Sequence, residues 1–123
     1  RILRPGGVAA LVWNDRDGTS PFLSGYEALL RTLPAYAAVR RPDDDGARTR
    51  AWFASCRTVV LENRQRLPWI GLRGRFLSAS YAPKEDDPSF PQVEAHLRRL
   101  FEAHARDGLV EVPYVTRVYF GAP

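Results

Sequence analysis

The chain has 123 residues, 45% of them hydrophobic, which is enough for one domain with an apolar core. Its formal net charge is +4, but the basic residues are arginines scattered along the sequence, with Lys84 the only lysine. A scattered pattern without interleaved aromatics favours a solvated surface over a nucleic-acid interface. No apolar run approaches the roughly 18 residues that span a membrane, and Cys56 is the single cysteine. We therefore expect a cytoplasmic protein without a nucleic-acid or membrane partner.

The first predicted element is a strand over 8–13, between a turn at Gly6-Gly7 and the polar cluster 14–18. The strand is apolar at every position, which is typical of a strand covered on both faces. Such a strand needs neighbours and covering helices, yet little sequence precedes it and the chain contains no methionine. The pattern therefore predicts that the chain begins inside a domain.

A helix is predicted to begin at Ser20-Pro21, with serine as the N-cap and proline at the first helical position. Glu27 and Arg31 are spaced to pair on its exposed face. The apolar residues recur at helical spacing and form one buried face: Phe22, Tyr26, Leu29, Leu30 and Leu33.

Pro34 is expected to end this helix, and residues 34–47 are predicted to be a polar, breaker-rich loop. A short helix follows over roughly 47–56, with Trp52 and Phe53 as apolar anchors. The next strand, over 58–66, becomes polar in its second half, which favours an edge position.

Residues 69–80 are predicted to be helical, with breaks at Gly71 and Gly74. A charged loop over 84–88 leads to the clearest helix, which Asp87 or Ser89 caps and Gly108 closes. The apolar face of this helix contains Val93, Leu97, Leu100, Phe101 and His104, and its predicted ion pairs are Glu94–Arg98 and Glu102–Arg106. A last strand over 109–120, in which Pro113 implies a bulge or a late start to the pairing, completes a single α/β domain in the order β-α-α-β-α-α-β.

Four segments of this chain resemble class I S-adenosylmethionine-dependent methyltransferases, in the small-molecule group that includes quinone-biosynthesis and trans-aconitate methyltransferases. Residues 3–7 resemble the Leu-Lys/Arg-Pro-Gly-Gly turn before that fold's fifth strand, and 12–17 continue as members of the group do. Residues 74–83 resemble the Gly-Arg-x-x-Ser-x-Ser-Tyr segment, and 115–121 resemble the Thr-x-Val-Tyr-Phe-Gly ending. Their shared order, across nearly the whole chain, makes the resemblance specific.

The resemblance implies the C-terminal half of a Rossmann-like methyltransferase fold. Its three strands would form a mixed sheet, with the last strand antiparallel between the first and the middle strand. The implied function is transfer of a methyl group from S-adenosylmethionine to a small molecule. The alternative is a non-catalytic binding or dimerisation module derived from the same fold.

The cofactor would be bound by the N-terminal half of that fold, which this chain does not contain. No G-x-G-x-x-G motif is present, and Gly71-Leu72-Arg73-Gly74 has the wrong spacing. We therefore assign no cofactor-binding residue here and expect the chain alone to be inactive. Methyl transfer needs little acid–base machinery, because the sulfonium already activates the methyl group and the protein mainly aligns the reactants.

Two groups of residues are candidates for substrate binding. Trp13, Asn14, Asp15 and Arg16 would lie beyond the carboxyl end of the first strand, where α/β sheets bind ligands. The alternative for this group is a loop that caps itself through an Asx turn. The second group follows the middle strand, where an arginine and nearby hydroxyls could clamp a carboxylate: Arg75, Ser80 and Tyr81.

The remaining polar and aromatic candidates are interpreted as structural. Trp69 and His104 are predicted to be core residues, and Arg73 and His96 surface residues. Two histidines without a companion cluster do not predict a metal site. Cys56 is interpreted as a small buried hydrophobe.

One partner is predicted from the first strand itself. If the upstream half is absent from the molecule, the 8–13 strand has a free edge beside an apolar surface of Val8, Leu11, Val12 and Trp13. A free apolar edge is a template for pairing with another chain. We therefore expect self-association through this strand.

Overall fold

The computed structural model describes residues 3–16, 18, 20–39 and 46–123. It is an α/β protein whose described residues form helices and an open three-stranded antiparallel sheet. Its elements are β1 (Ala9–Arg16), α1 (Pro21–Arg31), α2 (Pro34–Val39), α3 (Ala47–Arg50), β2 (Ser55–Leu67), α4 (Trp69–Leu77), α5 (Phe90–His104) and β3 (Val110–Ala122). In the described part of the chain, no helix is both long and apolar enough to cross a membrane.

The strand order of the sheet is β1-β3-β2, so β3 is central and β1 and β2 are its edges. β1 and β3 pair antiparallel, from Ala9 opposite Gly121 to Arg16 opposite Tyr114. The sheet is antiparallel and not mixed, and the last strand pairs antiparallel with the first, as expected. Because β3 lies between β1 and β2, the two strands that could form a parallel pair are not neighbours in the sheet.

The chain divides into two compact units. The first contains the described residues of Arg1–Arg16, Arg41–Asn63 and Tyr114–Pro123. The second contains those of Asp17–Arg40 and Arg64–Pro113. The predicted polar loop falls partly at 40–45, which lies outside the described residues.

In the first unit, the described residues do not cover both faces of the opening strand. Val12 is 57% exposed and Trp13 is 49% exposed. Because successive side chains of a strand point to opposite faces, both faces are open at this point of β1. The strand also continues to Arg16 instead of ending at Trp13, because its polar residues find cross-strand partners in β3.

The predicted helix over 47–56 is shorter in the structure, where α3 ends at Arg50. Trp52 is not an anchor, because it is 75% exposed, while Phe53 is half-buried. The buried apolar residue nearby is Tyr119, whose hydroxyl lies where a Cβ on Gly46 would be. Gly46 also has a φ of +82°, so both its backbone conformation and the close approach of Tyr119 favour glycine at this position.

In the second unit, the predicted α1 is confirmed. The backbone N–H of Leu23 donates to Ser20 Oγ at 3.1 Å, so Ser20 is the N-cap, and Pro21 begins the helix. Arg31 forms an ion pair with Glu27 at 3.3 Å on the solvent-facing side of the helix. The predicted face is buried throughout: Phe22, Tyr26, Leu29, Leu30 and Leu33.

The segment after α1 is a helix where a loop was predicted, because Pro34 begins α2 as well as ending α1. Proline fits the first turn of a helix, where its missing N–H has no helical partner. Tyr36 anchors this short helix and is only 7% exposed. A proline after one helix can therefore open the next, and the sequence pattern did not separate the two cases.

α4 and α5 supply the rest of this core. The buried side chains are Leu72 and Phe76 in α4, and Phe90, Val93, Leu97 and Phe101 in α5. Gly71 and Gly74 do not break α4, which continues to Leu77. The Ser78 N–H donates to the Gly74 carbonyl at 3.0 Å, so the helical hydrogen bonds continue past both glycines.

The ion pairs predicted on α5 are wrong in their partners. Arg98 pairs with Glu102 at 2.7 Å, and Glu94 pairs with Arg73 of α4. Spacing alone allowed Arg98 to pair in either direction along the helix. The contact between α4 and α5 decides the outcome, because it takes Glu94 away from its own helix.

Candidate functional site

The predicted substrate-binding residues fall into both compact units. Trp13, Asn14 and Arg16 belong to the first unit, and Arg75, Ser80 and Tyr81 belong to the second.

The first group lies within β1, not in a loop beyond the end of the strand. Thr116 donates a hydrogen bond from its hydroxyl to Asn14 Oδ1 at 2.6 Å. Thr116 stands directly opposite Asn14 in the antiparallel ladder. The side-chain oxygen of Asn14 thus accepts a hydrogen bond from the neighbouring strand and does not form the alternative Asx turn.

Asp15 is also engaged across the strands. Its carboxylate forms an ion pair with the guanidinium of Arg117, which stands opposite Trp13. Trp13 and Asp15 are two positions apart and therefore share one face of the sheet with Arg117. This face presents an indole, a carboxylate and a guanidinium side by side, and all three are accessible to solvent. Arg16 stands opposite Tyr114.

The second group lies at the end of α4. Arg75 is half-buried in the last turn, and its Nη1 donates to Gln65 Oε1 at 2.9 Å. The hydroxyl of Ser78 donates to the Arg75 carbonyl at 2.8 Å and closes the helix end. Ser80 is exposed in the following turn. This turn leads directly to Tyr81, so the three candidates follow one another along one short segment.

Tyr81 is half-buried, and its ring meets the ring of Tyr36 edge-to-face at 4.9 Å and 78°. The Tyr36 hydroxyl donates to the Glu27 carboxylate, with distances of 2.8 and 3.1 Å to its two oxygens. The sequence pattern does not indicate Tyr36, because it predicts a loop over 34–47. The signal that could have found it is Pro34 followed by helix-forming alanines on both sides of a single aromatic residue.

Arg73 forms ion pairs with two carboxylates and stabilises the second unit. It pairs with Glu94 and, at 2.7 Å, with Glu85, and its guanidinium lies 5.7 Å from the centre of the Phe90 ring. The hydrogen bonds to Glu94 and then to Glu85 raise the pKa of Arg73 above its usual value. This permanently charged side chain therefore links α4, the charged loop and α5.

Trp69 lines a shallow open groove between α4 and α5, with a volume of about 390 Å³. Its ring packs against Phe101 at 5.8 Å, and the guanidinium of Arg98 lies 4.8 Å from its centre. Trp69 is half-buried, so it is less enclosed than the predicted core position. The other lining residues are Pro91, Glu94 and Ala95.

The remaining titratable candidates have structural contacts. His104 is half-buried and meets Phe22 edge-on at 6.0 Å, while His96 is exposed. Cys56 is half-buried, so it is less enclosed than predicted. Among the described residues, no group of three or more histidine, cysteine, aspartate or glutamate side chains is placed to hold a metal ion.

Comparison of this chain with protein-family models and with curated proteins gives no match.

Proposed function

We propose that this chain is the C-terminal, substrate-side portion of a class I S-adenosylmethionine-dependent methyltransferase that acts on a small molecule. The observation that carries the proposal is the order of the four segments at 3–7, 12–17, 74–83 and 115–121. The central position of β3 supports it, because the resemblance implies a last strand between the other two.

The described residues do not fit the cofactor itself. The connection from β2 to α4 is Pro68 alone, which has no N–H to offer a ligand. The Gly71–Gly74 run lies inside α4 and is not a strand-to-helix turn. In this proposal, S-adenosylmethionine is held by a part of the enzyme that these residues do not provide.

The contribution of this chain is to bind and orient the methyl acceptor. We assign this role to Arg75, Ser80 and Tyr81, which offer a guanidinium and two hydroxyls on one segment. The second candidate group is Trp13, Asn14 and Arg16, whose open indole and amide are accessible on β1. Holding the acceptor in line with an activated methyl group is the main task of such an enzyme.

Calorimetric titration with S-adenosylmethionine tests the proposal. The natural full-length polypeptide that contains this chain is expected to bind the cofactor, and the 123-residue chain is expected to give no binding heat. Micromolar binding by the 123-residue chain would overturn the assignment of the cofactor site elsewhere. Absence of binding by the folded full-length polypeptide would overturn the methyltransferase proposal.

The open edge of the sheet favours a second candidate function, a binding or dimerisation module that uses the same fold. Val12 and Trp13 are exposed on opposite faces of an edge strand, which is suited to pairing with another strand. A full-length polypeptide that forms a dimer through β1 and binds no cofactor would favour this module over the enzyme.

A further inference from the structure

Tyr81 is held by one specific neighbour within the second unit. Its ring lies 4.9 Å from the Tyr36 ring, at an interplanar angle of 78°. Edge-to-face packing places the positive edge of one ring on the negative face of the other, so it favours one orientation. Tyr81 lies in the turn after α4 and is half-buried. The contact with Tyr36 therefore orients the Tyr81 side chain.

Tyr36 is itself fixed more firmly than Tyr81. It is buried in α2, and its hydroxyl donates to the carboxylate of Glu27 in α1 at 2.8 Å. A hydrogen bond to an ionised acceptor is among the stronger ones in proteins. Glu27 is in turn paired with Arg31 on the next turn of α1. A chain of contacts therefore extends from α1 through α2 to Tyr81.

The hydroxyl of Tyr81 is at the end of this chain of contacts. Within residues 3–16, 18, 20–39 and 46–123, the structure shows the ring contact with Tyr36 and no hydrogen bond at the Tyr81 hydroxyl. A phenol can donate one hydrogen bond and accept another. A ring that is held in place, with an unused hydroxyl at its tip, is suited to bind a polar ligand.

We propose that Tyr36, oriented by Glu27, is a positioning residue that fixes the Tyr81 ring so that its hydroxyl hydrogen-bonds the methyl acceptor. The inference rests on the proposed function, since it supposes an acceptor at Tyr81. It identifies the acceptor as a molecule with an oxygen or nitrogen at the contacted position. Tyr36 does not touch the acceptor and acts through Tyr81.

The first test measures the Tyr81 ring by fluorine NMR of the full-length polypeptide labelled with 3-fluorotyrosine. The Tyr81 resonance is identified as the one that Tyr81→Phe removes. In Tyr36→Leu, we expect this resonance to narrow and to move toward the shift of an unfolded tyrosine, because the packing ring is gone. An unchanged resonance in a folded Tyr36→Leu variant would overturn the proposal.

A second pair of variants keeps the test decisive if Tyr36→Leu does not fold. Glu27→Ala is expected to shift the Tyr81 resonance in the same direction, and Glu27→Gln to restore it, since the amide oxygen still accepts from Tyr36. Glu102→Ala is the matched control, because it removes an exposed glutamate of α5. Equal spectra for Glu27→Ala and Glu102→Ala would contradict the proposal.

The KM of the methyl acceptor is measured with S-adenosylmethionine and a panel of small carboxylic acids, phenols and amines. For the acceptor that is methylated, we expect KM to rise about tenfold in Tyr81→Phe and in Tyr36→Leu, while cofactor affinity is unchanged. An unchanged acceptor KM would overturn the positioning role. The ring measurement needs neither cofactor nor acceptor, so its failure is distinct from failure of the proposed function.

Discussion

The hydroxyl of Thr116 donates to the side-chain oxygen of Asn14 at 2.6 Å, across 102 residues of sequence. The two residues are direct partners in the β1–β3 ladder, on a face that is open to solvent. Cross-strand pairs of this kind stabilise a sheet by about 0.2–1 kcal/mol each. A residue proposed for ligand binding from its sequence context thus also holds two strands together.

A double-mutant cycle measures this pair. We expect Asn14→Ala and Thr116→Val each to lower the free energy of unfolding by about 0.5 kcal/mol, and the double variant to lose less than their sum. The reason is that either change alone already breaks the shared hydrogen bond. Urea unfolding of the four proteins gives the coupling energy. Strictly additive losses would show that the bond contributes nothing to stability.

Two glycines are expected to respond to alanine in opposite ways. Gly74 lies inside α4 with nothing near its missing side chain, so Gly74→Ala should raise the free energy of unfolding by about 0.5–1 kcal/mol. Gly121 lies against the backbone carbonyl of Ser55, so Gly121→Ala should lower it by about 1–3 kcal/mol. Denaturant midpoints measure both changes. A stable Gly121→Ala variant would contradict the close approach of β3 to β2.

Asp87, at the start of α5, makes a pH-dependent contribution to the free energy of unfolding. The Ser89 hydroxyl and then the Ser89 backbone N–H donate to it, at 2.7 and 2.8 Å, and lower its pKa below the ordinary value of 3.8. The folded state therefore favours the ionised form. This stabilisation is present above about pH 3.8 and is lost as the pH falls through the lowered pKa.

Removing the hydroxyl tests this assignment. In Ser89→Ala, we expect the pKa of Asp87 to rise toward its ordinary value, because only the backbone hydrogen bond remains. Carbon NMR titration of the carboxyl group measures the shift. Ser78→Ala is the control, because its hydroxyl donates to a backbone carbonyl instead. An identical Asp87 titration in both variants would disprove the role of the Ser89 hydroxyl.

The open edge of β1 predicts self-association of the 123-residue chain. Val12 is exposed on an edge strand that has no charged residue from Ala9 to Asn14. We expect Val12→Lys to shift the chain toward monomer, because a charge on an edge strand opposes pairing with another chain. Sedimentation velocity measures the shift. Val39→Lys, at an exposed position of α2, should leave association unchanged.

Arg75 and Tyr81 are expected to affect the acceptor more than the cofactor. In the full-length polypeptide, Arg75→Ala and Tyr81→Phe should each raise the acceptor KM about tenfold, through loss of a hydrogen bond, without a change in S-adenosylmethionine affinity. Steady-state kinetics and calorimetry measure the two quantities. Arg99→Ala removes an exposed arginine of α5 as a control. An equal loss of cofactor affinity would assign both residues a structural role.

The two long helices, α1 and α5, were the most predictable part of the fold. In α1, the cap at Ser20 and the spacing from Phe22 to Leu33 agree, so local and tertiary preferences point to one structure. For β1, the apolar run predicts burial but does not say what provides it. The exposed Val12 and Trp13 show that the described residues do not supply that cover.

The candidate site was less predictable, because its contacts join distant parts of the sequence. Nothing near Asp15 indicates Arg117, since their pairing depends on the register of β1 with β3. The sequence does not indicate Tyr36, because Pro34 predicts the end of one helix as readily as the start of the next. In both cases the residue type was visible in the sequence, but its partner was decided by tertiary structure.

The central place of β3 has a consequence for synthesis on the ribosome. β1 and β2 leave the exit tunnel before β3 exists, although β3 is the strand that separates and pairs with both. α1 and α2 can close on each other early, because Glu27 and Tyr36 are only nine residues apart. We therefore expect the nascent chain to carry β1 and β2 without their shared partner until β3 emerges, and to need protection from aggregation during that interval.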